Sequence, residues 1–193
     1  MVTGCTTPTG CPDTSVFPHV RIFRFSATIR HWGCTWGRQS QTLRGCGSLE
    51  SALADACSNL ATATAGSSAQ ITHDPLPHLN AESSQITQLL QNLLGNGIKF
   101  SGDKPALLHV GAQRQGNESV FSVADQGIGI ERQYFSRIFE LFKRFNTRAE
   151  YPGTGVGLAL CLKITRRHGG RIWVESEVGQ GATFFFTLPA NCY

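Results

Sequence analysis

The chain has 193 residues, of which 40% are hydrophobic and 16% are charged, a composition typical of a soluble globular protein. No apolar run approaches the roughly 18 residues of a membrane span, and the first residues lack a secretion signal, so we predict a cytoplasmic protein without a membrane span. The net charge of +4 lies within residues 1–47, which hold five arginines and one acid, whereas the remainder is neutral.

Residues 1–47 have no helical or strand period apart from a short β-like run over residues 20–25. Four of the seven cysteines lie in this segment, at Cys5, Cys11, Cys34 and Cys46. No Cys-x-x-Cys pair occurs among them, so a zinc site is not indicated. The five arginines are spread out and form no patch, so no nucleic-acid partner is predicted. We expect an irregular leader that is disordered or non-native.

The composition changes at residue 48, where a helix with one apolar stripe is predicted over residues 48–66. Ser48 is a candidate N-cap and Gly66 a stop. A short strand near residues 69–73 follows, and Pro75 and Pro77 then mark a turn.

A second helix is predicted from about Ser84 to Phe100, with an apolar stripe of leucine and isoleucine. Asn92, Asn96 and Lys99 lie four and three residues apart, so they share another face. Such a polar face is most often simply solvated. However, the helix accepts asparagine and glycine, which are weak helix formers, beside Lys99, and this favours a face that binds a ligand.

The remaining elements alternate between hairpins and helices. Predicted strands cover 107–113, 119–124, 171–177 and 182–188, and predicted helices cover 132–138 and 156–168, with a long loop at 139–152. Gly116-Asn117 is a hairpin signal, and Gly169-Gly170 ends the last helix. The pattern predicts an α+β fold, a two-layer sandwich in which helices cover a mixed, mostly antiparallel sheet.

Two glycine clusters flank the loop: Asp125-Gln-Gly127-Ile-Gly129-Ile130 and Gly153-Thr-Gly-Val-Gly157-Leu158. A helix that begins in such a cluster directs free N–H groups at an anion, so the clusters indicate a phosphate site. A dinucleotide-binding fingerprint is excluded because a charged loop, not a strand, precedes Gly153, and the third glycine comes one residue early. No P-loop string occurs.

The residue types around the clusters suit a nucleotide. The carboxylate of Asp125, at a strand end, can accept a hydrogen bond from the exocyclic amine of adenine, with the glycines leaving room for the base. Lys99, Lys143 and Arg144 can neutralise phosphates, together with the N–H groups of residues 153–157. Asn96 offers a neutral oxygen to Mg²⁺.

With these residues in view, residues 50–190 resemble the catalytic ATP-binding domain of phytochrome-like sensor histidine kinases, in the GHKL superfamily. Gln91–Phe100 resembles the N box, Asp125–Gly129 the G1 box and Phe139–Phe142 the F box; Gly153–Leu158 resembles the G2 box, and Gly179–Phe184 the last box. The resemblance implies a Bergerat fold over residues 67–193, with ATP and Mg²⁺ bound beneath a lid at residues 139–154.

The resemblance also implies individual roles. Asn96 would bind Mg²⁺, Lys99 and Arg144 the phosphates, Asp125 the adenine, and Thr183 would support Asp125 through its hydroxyl. The other residues carried over to the nucleotide site are Phe100, Gly127, Gly129, Ile130, Lys143, Gly153, Thr154, Gly155, Val156, Gly157 and Leu158.

The catalytic set carried over is Asn92, Lys99 and Arg144. Asn92 occupies the position where the related gyrase and Hsp90 ATPases have a glutamate that activates water. An amide is not a base, which favours phosphoryl transfer to a protein over hydrolysis. Gly97 replaces the usual alanine of the N box, a change expected to soften the helix without removing a ligand.

None of the six histidines lies in a phospho-acceptor pattern, and residues 48–66 resemble only the tail of the dimerisation domain that carries the acceptor. We therefore expect an acceptor that is lost, truncated or supplied in trans, with a response regulator as an indirect partner. Three functional classes stay open: a kinase acting on a partner's histidine, an ATP-binding module without turnover, and a decayed fragment. In the fragment, the apolar stripe that begins at Leu49 would have lost its packing partner.

Overall fold

A computed structural model describes residues 46–64, 69–142 and 154–189. The helices are α1 (Leu49–Thr64), α2 (Ser83–Lys99) and α3 (Gly157–Arg167). The strands are β1 (Cys46–Ser48), β2 (Gln70–His73), β3 (His78–Asn80), β4 (Leu107–Gln115), β5 (Glu118–Asp125), β6 (Ile172–Glu177) and β7 (Gly181–Pro189). Within these ranges every helix is too short or too polar to span a lipid bilayer.

Five strands form one sheet in the order β2-β4-β5-β7-β6. β2 runs parallel to β4, and the other neighbouring pairs are antiparallel, so the predicted mixed, mostly antiparallel sheet is confirmed. β1 and β3 pair antiparallel in a separate two-stranded sheet that the sequence did not predict. Three residues are too few to show the alternation of a strand, which explains the omission.

The sheet buries one face under the helices. Along β5, Phe121 and Val123 are buried, and their register partners on β7, Phe186 and Phe184, are buried as well. The rings of Phe121 and Phe186 stack with their centroids 4.9 Å apart. Because side chains alternate between the faces of a strand, this pattern also sends the side chain of Asp125 towards the helical layer.

The apolar stripe of α1 packs on α2. Leu49, Ala52, Leu53, Ala56 and Leu60 are all at most 9% exposed. They belong to the same cluster of buried residues as Leu89, Leu90 and Leu93 of α2. The expectation that this stripe has lost its packing partner is therefore wrong, since α2 supplies it.

α3 ends as predicted, in a two-glycine turn. Gly169 has φ 78°, its N–H donates to the carbonyl of Arg166 (3.0 Å), and the N–H of Gly170 donates to the carbonyl of Thr165 (2.9 Å). These are the two bonds of a Schellman motif, which requires a left-handed residue after the helix.

The helix predicted over residues 132–138 forms only as a short 3₁₀ turn at Arg132–Tyr134, followed by further turns. Seven residues are too few for helical propensity to decide the conformation, so tertiary contacts such as the burial of Ile138 decide it. The predicted loop lies outside the described residues from 143 onwards.

Candidate functional site

The C-terminal half of α2 carries the predicted polar face. Asn92, Asn96 and Lys99 are all half-buried. The Nδ2 amide of Asn92 donates to the carbonyl oxygen of Gln88 one turn earlier (2.9 Å), which leaves the Oδ1 atom of Asn92 facing the start of α3. A Cβ atom placed on Gly157 would lie 3.1 Å from that oxygen. The polar face of α2 and the first turn of α3 are thus in contact.

Asp125 ends β5 and is anchored by backbone groups. Its Oδ1 atom accepts hydrogen bonds from the N–H of Gly127 (2.9 Å) and the N–H of Ala182 (3.1 Å). Burial raises the pKa of Asp125 above its ordinary value, and these two hydrogen bonds oppose that shift. Among the described residues both donors contact Oδ1, so Oδ2 remains able to accept a hydrogen bond from a ligand.

The first glycine cluster is fixed between two parts of the backbone. A Cβ atom on Gly127 would lie 2.3 Å from the carbonyl oxygen of Phe100, just after α2. Gly129 has φ 73°, and a Cβ atom there would lie 2.2 Å from the carbonyl oxygen of Glu177. Glycine is required at both positions because protein backbone fills the space. The structure explains these glycines by backbone packing, and the expectation that they leave room for the base stays a prediction.

Hydrogen bonds hold this loop on both sides. The N–H of Ile128 donates to the carbonyl of Phe100 (3.0 Å), and the N–H of Gly179 donates to the carbonyl of Ile128 (2.8 Å). The N–H of Ile130 donates to Ser176 Oγ, at 2.8 Å. The loop therefore connects the end of α2 to the β6–β7 turn and supports Asp125.

Gly97 places α2 directly against Asp125. A Cβ atom on Gly97 would lie 3.2 Å from the Cβ atom of Asp125 and 2.3 Å from Cδ2 of Leu108. Gly97 lies between Asn96 and Lys99 in the chain, so these predicted ligand residues and the predicted adenine-binding carboxylate belong to one neighbourhood. Gly97, which was expected to soften the helix, permits this close approach of α2 to Asp125.

The second glycine cluster opens α3. Val156 is its N-cap and makes no side-chain cap hydrogen bond. No acidic residue lies in the first turn, so the N–H groups there are not occupied by a carboxylate of that turn. The carbonyl of Gly155 accepts a hydrogen bond from the N–H of Phe142 (3.1 Å), which joins the predicted F box to this turn. Thr154 is exposed, whereas Val156 and Leu158 are half-buried.

Thr183 does not take the place expected for it. It pairs with Ala124 across the sheet, whereas Asp125 lies beside Ala182. Side chains alternate along β7, so the hydroxyl of Thr183 is on the opposite face of the sheet from Asp125. The support predicted from that hydroxyl comes instead from the backbone N–H of Ala182. A backbone donor leaves no trace in the sequence, which is why it was missed.

Of the other predicted residues, Lys99 places its Nζ atom 4.6 Å from the ring centroid of Phe100. Ile130 and Leu158 are half-buried and pack against the core. Lys143, Arg144 and Gly153 lie outside the described residues.

The sequence profile described as histidine kinase-, DNA gyrase B-, and HSP90-like ATPase matches residues 81–191. The chain belongs to this family. The match includes the N-box helix α2, the aspartate at the end of β5 and both glycine clusters, so this part of the chain is the ATP-binding catalytic domain found in sensor histidine kinases.

Two relatives come from cyanobacteria. Cyanobacterial phytochrome A of Nostoc sp. strain PCC 7120 is 53% identical over 143 residues, which cover 74% of this chain and 19% of the relative. Phytochrome-like protein Cph1 of Synechocystis sp. strain PCC 6803 is 47% identical over 134 residues, 69% of this chain and 18% of the relative. The chain therefore spans about a fifth of the length of these relatives.

Solved structures of histidine kinases show the same fold. Mycobacterial sensor histidine kinase MprB superposes with a TM-score of 0.65 at 22% identity, over 77% of this chain and 99% of that one. Full-length ShkA in complex with AMPPNP has a TM-score of 0.65 at 29% identity, over 77% of this chain and 31% of that one. The predicted ATP-binding fold of the histidine kinases is confirmed.

Proposed function

We propose that this chain binds Mg²⁺ and ATP and transfers the γ-phosphoryl group to a histidine on another domain or chain. The observation that carries the proposal is the position of Asp125. Its carboxylate is held by two backbone N–H groups and faces the helical layer, in contact with the turn of α2 that carries Asn96 and Lys99. We further propose that α1, which packs on α2, is an integral part of this domain.

Adenine recognition follows from the free acceptor on Asp125. Because Oδ1 is occupied by Gly127 and Ala182, Oδ2 accepts from the N6 amine of adenine. Guanine has a carbonyl oxygen at the equivalent position, which would face the carboxylate as a second acceptor. A hydrogen bond to a charged group contributes about 1.5–3 kcal/mol, so Asp125 should discriminate between these bases.

Phosphate binding uses the start of α3 and the end of α2. The uncapped N–H groups of the first turn of α3 and the positive end of its dipole suit an anion. Lys99 adds a positive charge from the neighbouring helix. Thr154, Gly155 and Gly157 are proposed to bind the phosphates here, and Gly153, Lys143 and Arg144 remain predictions from the sequence.

The residues present fit a magnesium ion that is held mainly by the nucleotide. Within the described ranges no three His, Cys, Asp or Glu side chains cluster to form a metal cage. Asn96 presents one neutral amide oxygen on α2, and Mg²⁺ usually takes only one or two protein oxygens beside phosphates and water. When bound, the ion would neutralise phosphate charge, and Asn96 would hold it.

Phosphoryl transfer is favoured over hydrolysis by Asn92. Its amide nitrogen already donates to Gln88, and neither atom of the amide can accept a proton from water. Transfer requires mainly positioning and charge neutralisation, which the described residues can supply. The acceptor histidine belongs to a dimerisation domain, and a response regulator would receive the phosphoryl group afterwards.

The histidines of the described residues lie outside any phospho-acceptor pattern. His168 is 6% exposed and bonded through both ring nitrogens. His109 contacts Thr72 Oγ1 (2.9 Å) and Asp74 Oδ2 (3.5 Å) on the sheet. His73 and His78 border the proline-containing segment between β2 and β3.

Calorimetric titration of the full chain with AMPPNP and Mg²⁺ tests binding. We expect Asp125→Asn to weaken binding about 10- to 100-fold and to reduce the preference for adenine over guanine nucleotides. The matched control is Asp103→Asn, which changes an exposed aspartate just after the N box and should leave binding unchanged. Equal affinities for the wild type and Asp125→Asn would contradict the assignment.

Transfer is tested separately, with radiolabelled ATP and a purified histidine-bearing dimerisation domain from a phytochrome-type kinase. The expected product is an acid-labile phosphohistidine that forms with wild-type chain and not with Asp125→Asn. Tight ATP binding without any labelled acceptor would identify the chain as a binding module instead.

A further inference from the structure

α2 and α3 are antiparallel neighbours that approach each other at three positions along their length. A Cβ atom on Gly157, at the start of α3, would lie 3.1 Å from Asn92 Oδ1. One turn further, the thiol of Cys161 donates to the carbonyl of Leu89 (3.8 Å). Beyond the last turn, the backbone N–H of Glu82 donates to Nε2 of His168 (3.3 Å).

The spacing of these contacts matches along the two helices. Eleven residues separate Gly157 from His168, and ten separate Asn92 from Glu82. At about 1.5 Å of rise per residue, the two distances agree to within one residue. A shift of α3 along α2 would therefore disturb all three contacts together.

The hydrogen bonds of His168 define its protonation state. Nδ1 lies 2.9 Å from the carbonyl oxygen of Ile164, which can only accept, so Nδ1 carries a hydrogen. The N–H of Glu82 can only donate, so Nε2 must accept and carries none. His168 is therefore a neutral ring with hydrogen on Nδ1, bonded at once to the end of α3 and the start of α2.

Apart from the weak bond of the Cys161 thiol, the rest of this interface is apolar and defines the register of the two helices poorly. Leu89, Leu90 and Leu93 of α2 are apolar, as are Leu160 and Ile164 of α3, and such contacts can be remade after a slip of one turn. In coiled coils, a single buried polar contact specifies register where apolar contacts repeat. The exposed pair of Arg167 and Glu82, 3.7 Å apart, is too weak to do this.

We propose that His168 is a positioning residue for the nucleotide site, because its bond to Glu82 sets how far α3 extends along α2. The opposite end of α3 carries the N–H groups of the second glycine cluster, so this register determines where they lie relative to Asn92 and Asn96. The inference rests on the proposed function, since it assumes that those N–H groups bind phosphate.

Two substitutions separate the two hydrogen bonds of His168. In His168→Gln, the glutamine side chain is long enough to accept a hydrogen bond from the N–H of Glu82 but gives up the bond to Ile164. In His168→Asn, the shorter side chain can still donate to Ile164 but cannot reach Glu82. Thr165→Val is the control, because it removes an equally buried hydrogen bond, to the carbonyl of Cys161 (2.8 Å), within α3 alone.

Affinity for AMPPNP and Mg²⁺ is measured by calorimetry on the full chain, with thermal unfolding in parallel. We expect His168→Asn to bind about 3- to 10-fold more weakly, corresponding to the loss of one hydrogen bond. His168→Gln and Thr165→Val should bind within about twofold of wild type, even where their melting temperatures fall. His168→Asn binding as wild type, or His168→Gln binding as weakly as His168→Asn, would overturn the proposal.

The wild-type chain offers a test that needs no substitution. Nitrogen NMR of the labelled chain should show a protonated Nδ1 and an unprotonated Nε2 for His168. Hydrogen on Nε2 would overturn the proposal even if His168→Asn failed to fold. If wild-type chain did not bind the nucleotide while the NMR pattern was as expected, the proposed function would fail and the helix contact would stand.

Discussion

Gly127→Ala should damage both stability and nucleotide binding, because backbone occupies the space that a side chain would need. The added Cβ would lie 2.3 Å from the carbonyl oxygen of Phe100 and 3.0 Å from Oδ1 of Asp125. The loop must move, and the move breaks the bond from Ile128 to Phe100 and the bond from Gly127 to Asp125. The first contributes about 0.5–1.5 kcal/mol and the second, to a charged group, about 1.5–3 kcal/mol, so we expect a loss of about 2–4.5 kcal/mol.

Urea unfolding of the full chain measures that loss, and calorimetry with AMPPNP measures the accompanying change in affinity. Gly95→Ala is the matched control, because a Cβ there would lie 3.5 Å from Leu60 Cδ2, an ordinary contact within the helix layer. It should stabilise α2 by up to about 1 kcal/mol. If Gly127→Ala lost stability but bound nucleotide normally, Asp125 would not be the adenine ligand; if neither changed, the packing of this loop would be wrong.

Three further outcomes are expected. The pKa of Asp125 in the folded chain is raised above its ordinary 3.8, so the protonated carboxyl group favours the folded state. The stability of wild type relative to Asp125→Asn is therefore fully present below pH 3.8. It is lost as pH rises through the folded-state pKa, so urea unfolding at neutral pH should find the variant at least as stable. Burial raises the pKa of Cys161 to about 12, so peptide mapping after iodoacetamide treatment should find it labelled only in denaturant. Leu53→Ala should cost about 2–5 kcal/mol of unfolding free energy, because Leu53 is 3% exposed between α1 and the core; a loss below about 0.5 kcal/mol would show that α1 does not dock.

The stability expected of Asp125→Asn indicates a conflict between folding and function. An aspartate in this position is desolvated, and within the part of the chain that the structure describes two backbone hydrogen bonds offset the cost of its charge. A neutral amide would be easier to bury but would lose the acceptor that selects adenine. Residues that lower stability while serving a ligand are typical of binding sites.

The local sequence pattern was sufficient to predict the helices, strands and turns that have a strong hydrophobic period or an unambiguous end signal. The apolar stripe of α2, the alternation of β5 and the two glycines after α3 depend on neighbours within a few residues, and the predicted helix, strand and turn all formed. The short β1 and β3 strands and the turn after Arg132 carry too little periodic signal, so only contacts with distant segments decide them.

Residue types and their spacing were enough to establish the family, the order of the motifs and the identity of the charged and amide side chains. Long-range packing was needed to show that α1 packs on α2, that Ala182 rather than Thr183 supports Asp125, and that Gly127 is required by the carbonyl of Phe100. Each of these three findings depends on which face of a strand or helix meets a segment far away in the chain. Backbone groups make many of those contacts, and every residue type has the same backbone.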